Sequence, residues 1–234
     1  MNTNNELNNT TKEVVENTNE KRRFKRRPKM QSLGEEIANA ISHGVGALLG
    51  IVGLILLLIK SNTTEEYVGS SIFGASMIIL YLNSCLYHSF KNESTVKAVF
   101  KRFDHVSIYL LIGGTFAPIF LVALPSPPKW IMLGLQWAVI TVGVVFKAVK
   151  VHKFQALHIA LFLLLGWSGL FFVDRLFLFS VNAFWFILAG GISYSLGVIF
   201  YALRPFKYSH FIWHFFVIGG TVLQFFAIYF YLIG

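Results

Sequence analysis

The sequence predicts an all-α membrane protein: a polytopic bundle of seven transmembrane helices, with its N-terminus cytoplasmic and its C-terminus outside. Hydrophobic residues make up 55% of the 234-residue chain and charged residues only 13%. The apolar residues come in runs long enough to cross a hydrocarbon core of about 30 Å as helices. The 24 phenylalanines also suit helices whose outer faces contact lipid.

Residues 1–35 differ from the rest of the chain. Residues 1–20 are polar, and we predict a disordered tail because they bury too little apolar surface to offset the entropy of ordering. Seven of the nine residues in segment 21–29 are basic. A basic cluster beside a transmembrane helix is typical of contact with anionic lipid headgroups, which we favour over a nucleic-acid partner. The chain thus divides into a cytoplasmic tail, 1–35, and a membrane domain, 36–234.

Seven apolar runs follow the tail, and the connections between them are too short to contain a soluble domain. Tyr67 and Trp130 lie at the ends of spans, where aromatic side chains anchor helices at the interface. Pro118 lies inside the third run and predicts a kink. The predicted spans are 37–59, 67–90, 104–124, 130–149, 156–173, 182–203 and 209–232.

The basic residues near the span ends predict the orientation. With the N-terminus inside, only Lys60, Lys129 and Arg175 fall outside, as the positive-inside rule favours. The remaining basic residues near the span ends join the basic tail on the cytoplasmic side: Lys91, Lys97, Lys101, Arg102, Lys147, Lys150, Lys153, Arg204 and Lys207.

Three histidines lie at the cytoplasmic ends of two predicted spans. His88 ends the second span, whereas His210 and His214 begin the seventh and share one helix face. Neutral imidazoles are zinc ligands, and three protein ligands leave the fourth tetrahedral position for water, as in catalytic zinc sites. We therefore predict a Zn²⁺ site inside the membrane near its cytoplasmic side. The alternative is that these interfacial histidines face headgroups or water.

Other polar residues are predicted at the same depth as the histidines. Asp104 opens the third span and is the candidate base that holds or deprotonates the water. Ser84, one turn before His88, is placed to polarise a substrate oxygen. A polar stripe at i, i+3 and i+7 of the first span is a candidate for hydrogen bonds that orient the ligands: Glu36, Asn39 and His43.

The remaining histidines and the single cysteine have simpler interpretations. Cys85 excludes an intramolecular disulfide and is more typical of a buried thiol than of a metal ligand. His152, in a lysine-rich loop, is typical of a solvated side chain, and His158 is a candidate for a hydrogen bond in the core. His105 follows Asp104 but is expected to point about 100° away around the helix.

Five strings, in chain order, resemble the bacterial hemolysin III family. That family is similar to the adiponectin and progestin receptors and, more remotely, to the alkaline ceramidases. The resemblance covers nearly all of residues 31–234. The strings are EEIANAISHGVG at 35–46, NSCLYHSF at 83–90, FKRFDHVSIYLLIGGTFAP at 100–118, GGISYSLGVIFY at 190–201 and SHFIWHFF at 209–216.

The resemblance implies a seven-helix fold with a zinc site in a bacterial plasma membrane. Members often carry another histidine where this chain has Gln224, which keeps hydrogen bonding but loses easy metal ligation and proton transfer. The residues that match the family's ligands and polar partners are His88, His210, His214, Ser84 and Asp104.

Two functions from different classes fit these features. In the first, the protein is a zinc-dependent, ceramidase-like hydrolase whose substrate is a membrane lipid with an amide or ester bond. In the second, it is a receptor-like or membrane-homeostasis protein in which zinc is structural and the lipid only binds. A channel or cytolysin, which the family name suggests, is a weaker alternative because the polar residues stay in one layer. The sequence carries no signal of the oligomeric state.

Overall fold

A computed structural model of the chain describes residues 30–149 and 153–234. Leu33–Gly234 form one compact unit, and the described residues contain helices and no strand. Seven helical stretches are long and apolar enough to cross a membrane. The predicted all-α class and the seven candidate spans are therefore confirmed, while the orientation of the termini stays a prediction. The basic segment 21–29 and His152 lie outside the described residues.

The seven spans are formed by eight α-helices and a 3₁₀ segment in the described part of the chain. The fifth span, Gln155–Phe179, combines two short helices with the 3₁₀ segment between them. The elements are α1 Leu33–Lys60, α2 Thr64–Ser89, α3 Thr95–Ala123, α4 Pro128–Val149, α5 Gln155–Gly166, the 3₁₀ segment Ser168–Phe172, α6 Val173–Phe179, α7 Val181–Leu203 and α8 Ser209–Tyr231.

α3 and α1 begin furthest ahead of their predicted spans, by nine and four residues. α3 begins at Thr95 and not at 104, because the Ser94 hydroxyl caps it by accepting the Lys97 backbone N–H at 3.1 Å. Hydropathy marks where a chain enters lipid, whereas the cap marks where the helix starts. Asp104 consequently lies two turns inside α3. Residues 33–35, which the sequence assigns to the tail, form the first turn of α1.

The fifth span is interrupted inside the predicted range 156–173 and extends beyond it to Phe179. α5 ends at Gly166, and side chains from neighbouring helices hold the irregular backbone that follows. The Trp167 indole N–H donates to the Ser195 hydroxyl at 3.1 Å, and the Gln136 amide donates to the Ser168 hydroxyl at 3.0 Å. Irregular backbone is tolerated at membrane depth when protein partners of this kind surround it.

α3 is the most buried span and forms the centre of the bundle. It packs against α2 and α4, while α1 packs against α2 and α8. Glycines allow the α2–α3 contact: a Cβ on Gly69 would lie 2.6 Å from Pro118 Cα, and one on Gly114 would lie 2.0 Å from Ser76 Oγ. Because successive spans run in opposite directions, α1, α3 and α8 begin at the end of the bundle where α2 and α7 end. We call this end of the bundle the site end.

Candidate metal centre

Three histidines come together at the site end. His88 is supplied by the last turn of α2, and His210 and His214 by the first two turns of α8. One nitrogen from each ring lies within 4.8 Å of the other two. The nitrogen ligands of a tetrahedral zinc with Zn–N bonds of ~2.0–2.1 Å lie roughly 3.4 Å apart. Rotation of the histidine rings would shorten the nitrogen–nitrogen distances of the cluster to that value. The three donors could therefore hold a metal ion.

His88 is oriented by a carboxylate from α1. Its Nδ1 lies 2.7 Å from Glu36 Oε2, and an ionised carboxylate only accepts hydrogen bonds, so Nδ1 carries the proton. The other nitrogen, Nε2, is buried without a hydrogen-bond partner. Its lone pair is therefore available to a metal, in the carboxylate–histidine arrangement that many metal sites share.

His214 is oriented by a hydroxyl from the same helix, α1. Ser42 Oγ donates to the Asn39 carbonyl at 2.9 Å and lies 3.0 Å from His214 Nδ1. A hydroxyl has one proton, so Ser42 Oγ accepts from Nδ1–H, and the lone pair of His214 is on Nε2. His210 is half-buried, and its Nδ1 has no partner in the described structure.

His43 stacks on a candidate ligand, His214, and does not hydrogen-bond to it. Its ring lies 3.5 Å from that of His214 at an interplanar angle of 8°, and it meets the Tyr81 ring edge-on at 5.1 Å. Both of its nitrogens are buried without a partner. The predicted polar stripe of α1 therefore contributes in three ways: a carboxylate at Glu36, a backbone carbonyl at Asn39 and a stacked ring at His43.

A small cavity lies beside two of the three histidines, His210 and His214, and beside the predicted catalytic residues. Its volume is about 20 Å³, enough for one water or ion, and both Ser84 and Asp104 line it. Ser84 is buried at the cavity, beside the Asp104 carboxylate. His105 also lines the cavity, with Nδ1 3.3 Å from Asp104 Oδ2, so the expectation that it points away from Asp104 is wrong. Rotation about the side-chain bonds of His105 brings its ring close to Asp104.

Comparison with known proteins identifies the family. A family model described as Haemolysin-III related matches residues 31–225. The chain belongs to this family. The resemblance seen in the sequence motifs is thus confirmed, and membership supports an integral membrane protein.

Bacterial and animal relatives span nearly the same length as this family member. "Hemolysin-3" of Bacillus cereus is 39% identical over 207 residues, covering 87% of this chain and 94% of the relative. "Hemolysin-3 homolog" of Bacillus subtilis (strain 168) is 39% identical over 206 residues, covering 86% and 96%. The human "Monocyte to macrophage differentiation factor" is 27% identical over 209 residues, covering 85% and 84%.

Two side chains beside the candidate metal centre of this haemolysin-III related protein are not predicted from its sequence. Ser42 is absent from the predicted stripe, although it follows Asn39 by three residues, the interval that separates Asn39 from Glu36. Lys97 is assigned from the sequence to the cytoplasmic interface, yet it is buried with Nζ 3.0 Å from Glu36 Oε2. One available signal is its spacing: Lys97 precedes Asp104 by seven residues, which is two turns along one face of α3.

The other residues discussed in the sequence analysis lie away from the candidate metal centre. His158 Nδ1 is 2.8 Å from the Tyr109 hydroxyl, which confirms a core hydrogen bond. Cys85 is partly buried and does not belong to the histidine cluster. Gln224 follows His214 by ten residues, about 15 Å along the helix, and its amide donates to a backbone carbonyl of α7 at 3.0 Å. Gln224 therefore has no direct contact with the centre.

Proposed function

We propose that this protein is a zinc-dependent membrane hydrolase that cleaves an amide or ester bond of a lipid. One observation carries the proposal: three imidazoles from two helices converge, and two of them line a cavity that is also lined by a carboxylate and a buried hydroxyl. His88, His210 and His214 would hold the ion. Zinc in such a site lowers the pKa of a water to about 7 and polarises a carbonyl.

The chain's own groups have distinct roles in this proposal. Asp104 accepts the proton of the attacking water, because its carboxylate lines the cavity beside the histidines. Ser84 Oγ donates a hydrogen bond to the carbonyl oxygen of the lipid, since it is buried and lines the cavity beside Asp104. His105 holds the Asp104 carboxylate from 3.3 Å.

Apolar space inside the bundle supports a lipid as the substrate or ligand. A cavity of about 80 Å³ adjoins the metal centre, and a third of about 40 Å³ continues it along the broken fifth span. The first two cavities share Leu80, Ile108, Trp213 and Val217. The second and third share Gly166, Trp167 and Gly191. A mostly apolar lining suits an acyl chain whose polar end lies at the metal.

A second candidate function is supported by the size of the metal-site cavity. At about 20 Å³ it accommodates one water and excludes a lipid amide unless the helices separate. This favours a receptor-like or membrane-homeostasis protein with a structural zinc, in which the lipid occupies only the apolar space. The two candidates differ in what Asp104 does, and substitution of that residue separates them.

We also propose that the centre lies near the cytoplasmic side of a bacterial plasma membrane. Among the described residues the site end carries most of the basic side chains, whereas the opposite end carries Lys60, Lys129 and Arg175. Segment 21–29 would add to this asymmetry by contacting anionic headgroups. Cysteine-accessibility labelling of Arg175 and Lys207 positions in intact cells tests the orientation, because opposite labelling would invert it.

The decisive experiment combines metal analysis with a lipid screen. Purified protein in nanodiscs is assayed for zinc and for fatty-acid release from ceramides, other lipid amides and lipid esters. Asp104→Asn should retain zinc and lose about 100-fold or more of the release rate, since a general base contributes about 10²–10⁴-fold. Asp174→Asn, which changes an exposed carboxylate elsewhere in the bundle, is the matched control.

Two outcomes contradict the hydrolase. Wild type without zinc would refute the metal centre. Zinc-loaded wild type that cleaves none of the lipids, with Asp104→Asn still complementing a deletion phenotype, would instead support the receptor-like function.

A further inference from the structure

Lys97 is a buried cation whose position opposes its local preference. It lies in the first turn of α3, where the positive end of the helix dipole disfavours a cation. Its side chain is only 9% exposed. A buried ammonium is unfavourable unless an opposite charge and hydrogen bonds compensate for its lost hydration. Tertiary partners must therefore stabilise it.

Three neighbours from different segments surround the Lys97 ammonium. Nζ lies 3.0 Å from Glu36 Oε2 of α1 and donates to the Phe90 carbonyl at 3.1 Å, just beyond α2. It also lies 4.8 Å from the centroid of the Tyr87 ring. The lysine thus joins the beginning of α1, the end of α2 and the beginning of α3.

One oxygen atom links Lys97 to the histidine cluster. Glu36 Oε2 contacts both Lys97 Nζ, at 3.0 Å, and His88 Nδ1, at 2.7 Å. Rotation of the carboxylate would disturb both contacts together. The lysine is therefore linked to a candidate metal ligand through the Glu36 carboxylate.

We propose that Lys97 is a positioning residue of the metal centre. It holds Glu36 so that Oε2 accepts from His88 Nδ1, and this directs His88 Nε2 towards His210 and His214. The inference rests on the proposed metal centre and adds to it a cation that acts through the carboxylate. Partners that orient metal-bound histidines in this way typically contribute 10–100-fold to metal affinity.

A competing explanation is that Lys97 only joins three helices. Such a contact would affect unfolding equally with and without metal and would leave zinc affinity unchanged. The test is therefore zinc affinity of the full chain in nanodiscs, measured by competition with a chelating dye. Lys97→Met should bind zinc about 10-fold more weakly. Lys91→Met, which removes an exposed lysine from the same end, is the matched control and should match wild type.

A double-mutant cycle shows whether Lys97 acts through Glu36. Glu36→Gln alone should weaken zinc binding by about 10–100-fold. If the lysine acts through the carboxylate, adding Lys97→Met to Glu36→Gln should cause little further loss, because the two effects are not additive. Lys97→Arg keeps the charge and should restore most of the affinity. Co²⁺ absorption spectra of the same variants report any change in ligand geometry.

The outcomes separate this inference from the proposed function. Wild type that binds zinc, with Lys97→Met equal to Lys91→Met, overturns the role of Lys97 alone. Additive losses in the cycle also overturn it. Wild type that binds no zinc overturns both proposals. If Lys97→Met does not insert, Lys97→Gln replaces it, since glutamine keeps a donor for the Phe90 carbonyl.

Discussion

Buried histidines occur in two regions of this protein, and their surroundings differ. His88, His210 and His214 form a cluster between α2 and α8, whereas His158 lies alone on α5 and faces α3. His88 is 3% exposed and His158 is 1% exposed, and the Nε2 of each has no partner. Burial and an unpaired nitrogen therefore do not distinguish a candidate ligand from a core residue.

The partner of the second nitrogen makes the distinction. In the cluster, Glu36 and Ser42 accept Nδ1–H bonds, so the Nε2 lone pairs of His88 and His214 are available to a metal ion. His158 Nδ1 instead meets the Tyr109 hydroxyl, which can donate or accept, so neither tautomer is selected. The convergence of oriented rings is what indicates a metal centre.

The convergence of buried histidine nitrogens also affects the stability of the folded protein. Each buried nitrogen without a partner costs about 1–3 kcal/mol, so a cluster of them destabilises the helix contacts. An ion that binds the folded protein removes this cost and stabilises it by mass action. The single nitrogen of His158 offers no such coupling between metal and stability.

The largest expected effect comes from removing a ring from each region. His214→Ala should lose most of the bound zinc, because two histidines are a poor zinc site. His158→Ala removes an equally buried imidazole and should keep the wild-type zinc content. Zinc is measured by mass spectrometry on protein whose size-exclusion profile matches wild type. Equal zinc contents in the two variants would remove the distinction between the regions.

A smaller effect is expected from the hydroxyl that orients His214. Ser42→Ala removes the acceptor for Nδ1–H and should weaken zinc affinity by about 10-fold. Ser89→Ala is the control, since that serine is exposed at the same end and bonds only to its own helix at 2.8 Å. An unchanged dissociation constant for Ser42→Ala would show that packing alone orients the ring.

The smallest effect is expected at the isolated histidine. Tyr109→Phe removes the hydrogen bond to His158 and should lower the unfolding free energy by about 1 kcal/mol, without changing zinc content. Thermal unfolding in detergent, with and without added zinc, measures the stability, and mass spectrometry measures the zinc content. A zinc-dependent shift of a different size from that of wild type would mean that the two regions are coupled.

Local sequence features predict the histidine cluster only in part. The i, i+4 spacing of His210 and His214 is sufficient to place both on one face of a helix. The positive-inside rule assigns His88 to the same layer. Hydropathy cannot show that α2 and α8 lie close enough for the rings to meet, nor that α3 begins at Thr95. It also cannot anticipate the break after Gly166, which depends on partners from α4 and α7.

The all-α membrane class, the number of spans and the membrane depth of the polar residues all follow from the amino-acid sequence. Spans in lipid require long apolar runs, so the few polar residues within those runs are easily recognised. Helix packing is needed to establish which nitrogen of each histidine is free and which side chains orient it. The physical reason is distance along the chain: Glu36 and His88 are 52 residues apart, and Ser42 and His214 are 172 apart. Hydrogen bonds across such separations depend on how the helices pack.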